Sequence, residues 1–107
     1  MDNRTITVIG GVNTDIIIKS DEIPKIGDTI IGGDYIIAGG GKGANKAIAI
    51  AKLGGKVNFI ARVGNDPFGR KRIKELKENN LSTDYIIIDN ENYSGLGLIS
   101  VDKNGKN

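Results

Sequence analysis

The sequence contains no cysteine and no histidine. Without cysteine there is no disulfide, no thiolate metal site and no cysteine nucleophile. Without histidine, Ser-His-Asp triads, histidine general bases and histidine-ligated zinc are excluded. An excess of charge of one sign is also missing. The 15 Lys+Arg stand against 13 Asp+Glu, a formal net charge of +2 over 107 residues, and this is not the clustered basic footprint of a nucleic-acid partner. No stretch approaches the roughly 20 apolar residues of a membrane span. The opening Met1-Asp2-Asn3-Arg4-Thr5 lacks the apolar segment of a signal peptide, so a cytoplasmic protein is expected. No internal repeat or low-complexity linker divides the chain, and its length allows one small domain. Chemistry must therefore come from carboxylates, lysines, amides, hydroxyls and backbone.

Glycine, by contrast, is abundant at 16 of 107 residues, about twice the usual ~7%. Most of these glycines form doublets and triplets beside apolar runs, the pattern of tight turns or of backbone that approaches a ligand closely. Ile6-Thr7-Val8-Ile9, ended by Gly10-Gly11, predicts a buried strand, and Asp15 to Lys19 a second. Thr29–Ile37 predicts two short extended pieces, Thr29-Ile30-Ile31 and Tyr35-Ile36-Ile37, bent at Gly32-Gly33-Asp34 into an antiparallel flap. The period then changes. Ala44, Ala47, Ile48 and Ala51 fall on one face of a helix from Lys42 to Leu53, stopped by Gly54-Gly55. Val57 to Val63 reads as a strand. Asp66-Pro67 reads as an N-cap with proline at the first helical position, opening a helix to about Asn79. Phe68, Ile73 and Leu76 would face inward, and Arg70, Lys71, Arg72 and Lys74 would form a solvated face. Tyr85–Ile88 is a further strand, and the residues from Leu96 to Asp102 alternate like a two-sided strand near a sheet edge. Strands alternating with helices predict an α/β fold with a parallel sheet. Asp102-Lys103-Asn104-Gly105 is a hairpin-turn signal with two residues after it, which predicts a chain cut from a longer protein.

Three constellations could carry chemistry. Gly39-Gly40-Gly41-Lys42-Gly43-Ala44-Asn45 joins an extended run to a helix. Free N–H groups and the positive end of the helix would point at an oxygen or anion, glycines would let it approach, and Lys42 and Asn45 would donate to it. A solvated glycine-rich turn is the plainer reading. A Walker A loop fails, because Ile36 and Gly43 stand where it needs glycine and Ser/Thr. The dinucleotide fingerprint G-x-G-x-x-A is met in letters by Gly39, Gly41 and Ala44, with Arg62 placed for a 2′-phosphate, and a dinucleotide-binding domain is the alternative. In Gly10-Gly11-Val12-Asn13-Thr14-Asp15, an amide and a carboxylate two residues apart suit a polyol beyond the end of a strand, or else an Asx turn. In Val63-Gly64-Asn65-Asp66-Pro67-Phe68-Gly69, Asp66 reads as a helix cap rather than a catalytic acid.

Taken in this order and spacing, the three motifs resemble the N-terminal part of the ribokinase-like (PfkB) family of carbohydrate kinases, over essentially the whole chain. The Lys42-Gly43-Ala44-Asn45 version resembles the branch acting on ribose. The resemblance implies part of a three-layer α/β/α fold with a small antiparallel β lid, the lid segments lying near residues 16–38 and 94–107. It implies that Asn13 and Asp15 bind sugar hydroxyls and that Gly41, Lys42, Gly43 and Asn45 bind the sugar from the helix start. The implied reaction is transfer of the ATP γ-phosphoryl group to the 5-hydroxyl of ribose, with Mg and a monovalent cation, in a homodimer formed through the lid. Two positions depart from the family: Lys46 stands where glutamine is usual, and Gly39 is smaller than the common residue. The family's Gly-Ala-Gly-Asp stretch, with its catalytic aspartate, and its ATP site would lie beyond residue 107. The 107 residues are therefore expected to hold the sugar-binding part and to be inactive alone.

Overall fold

The computed structural model describes residues 4–107; Met1, Asp2 and Asn3, part of the stretch read above for an apolar leader, lie outside them. The elements run β1 (Thr5–Ile9), β2 (Asn13–Lys19), β3 (Tyr35–Gly40), α1 (Lys42–Lys52), β4 (Lys56–Gly64), α2 (Pro67–Glu78), β5 (Ile86–Asp89) and β6 (Gly95–Val101). Two compact units form, one from the residues up to Thr14 with Gly39–Gly95, the other from Asp15–Ala38 with Leu96–Asn107.

The first unit is built on a parallel sheet of order β1-β4-β5. Thr5 to Ile9 pair with Lys56 to Ile60, and Ala61 to Gly64 pair with Ile86 to Asp89. Parallel neighbours need a crossover, and α2 supplies the one between β4 and β5. Alternation along β4 sends Phe59, Ala61 and Val63 to one face, where they are buried with Ala44 and Ala47 of α1 and Leu76 of α2. Both helices therefore cover the same face of the sheet, giving two layers among the described residues. On the opposite face Ile9 and its partner Ile60 stay exposed, as does Ile87, opposite Arg62.

Helix α1 ends as its glycines predict. Gly54 takes φ +85°, its N–H donates to the Ala51 carbonyl, and the Gly55 N–H reaches back to Ile50, both at 3.0 Å. This pair of bonds satisfies carbonyls that the last helical turn leaves free. Small residues at Gly43, Ala44 and Ala47, all buried, bring the helix axis close to the sheet.

In the second unit lies most of a sheet of order β3-β2-β6. β6 sits at an edge, as its two-sided alternation predicts. Thr29–Ile31 is not a strand, contrary to the expectation from its β-branched residues. The bonds to β2 begin later: the Gly33 N–H donates to the Lys19 carbonyl and the Lys19 N–H to Asp34, each at 2.9 Å. Residues before Gly32-Gly33 thus have no ladder to join, and composition alone does not make a strand. The Asp102–Gly105 turn forms, with the Asp102 N–H donating to the Lys106 carbonyl at 2.8 Å. No helix among the described residues is long and apolar enough to cross a membrane.

Candidate functional site

The first two glycine motifs, thirty residues apart in the chain, meet backbone to backbone. A Cβ on Gly43 would lie 2.7 Å from the Gly10 Cα and 3.0 Å from the Gly11 nitrogen. One on Gly41 would overlap the Gly11 carbonyl oxygen, which accepts the Ala44 N–H at 3.1 Å. Gly41 itself sits at φ 103°, ψ 125°, a conformation that side-chain-bearing residues avoid. These glycines let the start of α1 pass directly over the loop that follows β1.

That helix start is electrostatically open. Gly41 is its N-cap, no side chain caps it, and its first turn carries no acidic residue. No acidic side chain of the first turn offsets the positive end of the helix dipole, and of its N–H groups the Gly11 carbonyl takes that of Ala44. Lys42 and Asn45 are exposed at this end, and Gly43 is buried beneath them. Asn13 opens β2 in the same unit, and its carboxamide lies against Gly95. Asp15, two residues along β2, belongs to the second unit, where its Oδ1 lies 2.6 Å from the point a Cβ on Gly97 would take. Five of the six predicted site residues thus share the first unit.

A cavity of about 160 Å³ in the first unit is lined by Asn45, Gly39, Gly40 and Val12 and, from α2, by Arg72 and Glu75. A larger cavity of about 470 Å³ in the second unit, beside Lys19, Asp34, Asp102 and Lys103, includes none of the predicted site residues. Arg72 departs from the solvated face expected for it, being only 4% exposed. It lies on the same side of α2 as the buried Gly69 and Leu76. Its Nη2 donates to Glu75 Oε1 at 2.7 Å, while Nε and Nη1 are buried without a partner. Nη1 occupies the place a Cβ on Gly39 would need. A side chain at position 39 would have to displace the end of the Arg72 side chain.

The third motif is structural in the way expected, and more. Asp66 caps α2, accepting the Gly69 N–H at 2.7 Å. It also accepts the Ser94 N–H and hydroxyl, each at 2.8 Å, a partner that no local pattern announced. Ser94 and then Gly69 hold the Asp66 carboxyl below the usual carboxylate range. The side chain and N–H of Asn92, the Glu91 N–H and finally Arg62 draw Asp89 from 3.8 down to about 2. A carboxylate with a depressed folded pKa adds stability above its unfolded pKa and loses it as pH falls through the folded one. The thermal midpoint is therefore expected to be flat from pH 7 to 5 on account of these groups, and to fall between about pH 4 and 2. Thermal scans at pH 7, 5 and 3 check this, and Asp89→Asn should lessen the fall.

Arg62 does not stand ready for a 2′-phosphate; it is paired with Asp89 at 2.9 Å. Among the described residues no three His, Cys, Asp or Glu side chains are grouped to hold a metal ion. The site's groups are amides, an ammonium, the Asp15 carboxylate and a helix start with no side-chain cap, a mixture of donors and acceptors that can hydrogen-bond to hydroxyl groups.

Comparison with known proteins places the chain in a family. The family described as pfkB family carbohydrate kinase matches residues 3–107. The ribokinase of Mus musculus is 37% identical over 102 residues, covering 95% of this chain and 32% of its own. That of Bacillus subtilis (strain 168) is 42% identical over 83 residues, 78% of this chain and 28% of its own. Among solved structures, ribokinase from Arabidopsis thaliana complexed with ribose and ATP superposes with a TM-score of 0.84 at 31% identity, covering 94% of this chain and 33% of that one. The chain thus spans about a third of the length of the relatives it matches, and the dinucleotide-binding alternative is set aside. Its motifs, its fold and its match over residues 3–107 agree: the chain belongs to the pfkB family of carbohydrate kinases.

Proposed function

We propose that this chain is the sugar-binding part of an ATP-dependent kinase that phosphorylates ribose at its 5-hydroxyl. The observation that carries the reading is the meeting of Gly10–Gly11 with Gly41–Ala44, which sets an uncapped helix start beside the strand that opens with Asn13. A neutral polyol wants many directed donors and acceptors and no strong net charge. Asn13 and Asp15 would take the sugar hydroxyls from β2; Gly41, Lys42, Gly43 and Asn45 would take others through backbone and side-chain donors. The names of the relatives support ribose over other sugars. ATP, Mg and a monovalent cation belong to the proposed activity, but no residue described here is assigned to them. No aspartate here matches the family's catalytic one, so these 107 residues alone would bind sugar without transferring a phosphoryl group. A cytoplasmic location and a homodimer formed through the second unit, read as the lid, complete the proposal.

Ribose titrated into the full chain should shift the amide NMR signals of Asn13, Asp15 and Gly41–Asn45, and NADPH should not. Shifts with NADPH and none with ribose would overturn the reading.

A further inference from the structure

We propose that Asp66 and Ser94 are positioning residues for Asn13, acting through Gly95; the functional half of this rests on the sugar-site reading above. A helix cap needs one acceptor, and Asp66 Oδ1 supplies it to the Gly69 N–H. The remaining capacity of the carboxylate goes to a residue 28 positions away. Oδ2 accepts the Ser94 N–H at 2.8 Å and Oδ1 accepts the Ser94 hydroxyl at 2.8 Å. The same hydroxyl oxygen accepts the Gly64 N–H at 2.9 Å. Ser94 is thus held at both backbone and side chain by the end of β4 and the start of α2. The backbone around it is packed as tightly, since a Cβ on Gly64 would lie 2.5 Å from the Ser94 nitrogen.

The residue so fixed is immediately followed by Gly95, where a Cβ would overlap Asn13 Oδ1. The Asn13 carboxamide makes no hydrogen bond to another described residue. Asn13 is exposed, so Gly95 is the neighbour that limits where its Oδ1 can lie, and Ser94 fixes the place of Gly95. Charge-assisted bonds to a carboxylate are stronger than neutral ones, so the anchor is firm while the Asn13 amide stays unpaired. A preoriented side chain binds without first losing rotamer freedom.

Three variants in the full chain test this. Ser94→Ala removes the hydroxyl, Ser94→Thr keeps it, and Asp66→Asn keeps a good N-cap while losing an acceptor for Ser94. Ser94→Ala and Asp66→Asn should each bind ribose about tenfold more weakly, as expected for loss of one such bond. Both should also displace the Asn13 side-chain amide signals in the ligand-free NMR spectrum, and Ser94→Thr should restore both readouts. Unmoved Asn13 signals in Ser94→Ala and Asp66→Asn would overturn the proposal. If Ser94→Ala does not fold, Asp66→Asn decides by the same two readouts. Should the parent protein not bind ribose, the sugar-site reading fails, and the ligand-free Asn13 signals still decide whether the anchor exists.

Discussion

Gly41→Ala is expected to destabilise the first unit by about 2–6 kcal/mol, from backbone strain and overpacking together. The residue sits at φ 103°, where an alanine is strained whatever space surrounds it. Here there is also no space, because the new Cβ would overlap the Gly11 carbonyl oxygen and lie 3.1 Å from the Val12 Cα. The carbonyl cannot retreat without losing the Ala44 N–H it accepts, and Val12 is part of the core. Whole domains are stable by only about 5–15 kcal/mol, so the loss is a large fraction of the total. Gly11→Ala is the control, since a Cβ there meets nothing within 4 Å, and it should stay within about 0.5 kcal/mol of the parent. Urea unfolding of the two variants separates them. A Gly41→Ala midpoint equal to that of Gly11→Ala would show that the α1 start is not held as described.

If the proposed sugar site is right, Asp15→Ala should weaken ribose binding ten- to a hundredfold, read in a full-length kinase carrying this chain chiefly as a higher KM. The carboxylate is half-buried at the start of the second unit and has no hydrogen-bond or ion-pair partner among the described residues. Its oxygens are thus open to a ligand, and Gly97 leaves room beside Oδ1. Losing a hydrogen bond to a charged group is worth roughly 1.5–3 kcal/mol, which sets the range. Because nothing in the fold depends on the carboxylate, the thermal midpoint should change little, and this distinguishes a ligand contact from a structural one. An unchanged KM for ribose would remove Asp15 from the site.

Much of this architecture can be read from local signals. The 3.6-residue period of Ala44, Ala47, Ile48 and Ala51, bounded by Gly54-Gly55, sets α1 to within one residue of its end. Asp66-Pro67 marks the start of α2 because capping is a property of adjacent residues. What local signals miss is pairing across distance. Thr29–Ile31 has the composition of a strand but no neighbour to bond with. Arg72 looks solvated because arginines usually are, although its spacing from Gly69 and Leu76 is that of one helix face, and strict use of the period would have placed it inward. Ser94 carries no signal at all: its bonds to Asp66 and Gly64 exist only once β4 and α2 are in place. The chemistry of the candidate site follows the same division. The residue types of Asn13 and Asp15 suggest a polyol and those of Gly39–Asn45 an oxygen or anion cradle, while only the fold shows that Gly43 rests on Gly10.

The packing of Arg72 on Gly39 makes these two positions exchange volume. In the arrangement seen, the end of the Arg72 side chain fills this space from α2, and a residue larger than glycine at 39 would displace it. Proteins of this fold should therefore inherit the pair as a unit, with glycine at 39 accompanying arginine at 72 and a larger residue at 39 accompanying a shorter one. A chimera that takes β3 and α1 from one parent and α2 from another would inherit either a void or a collision beside the loop that leads to Lys42, unless both positions cross over together.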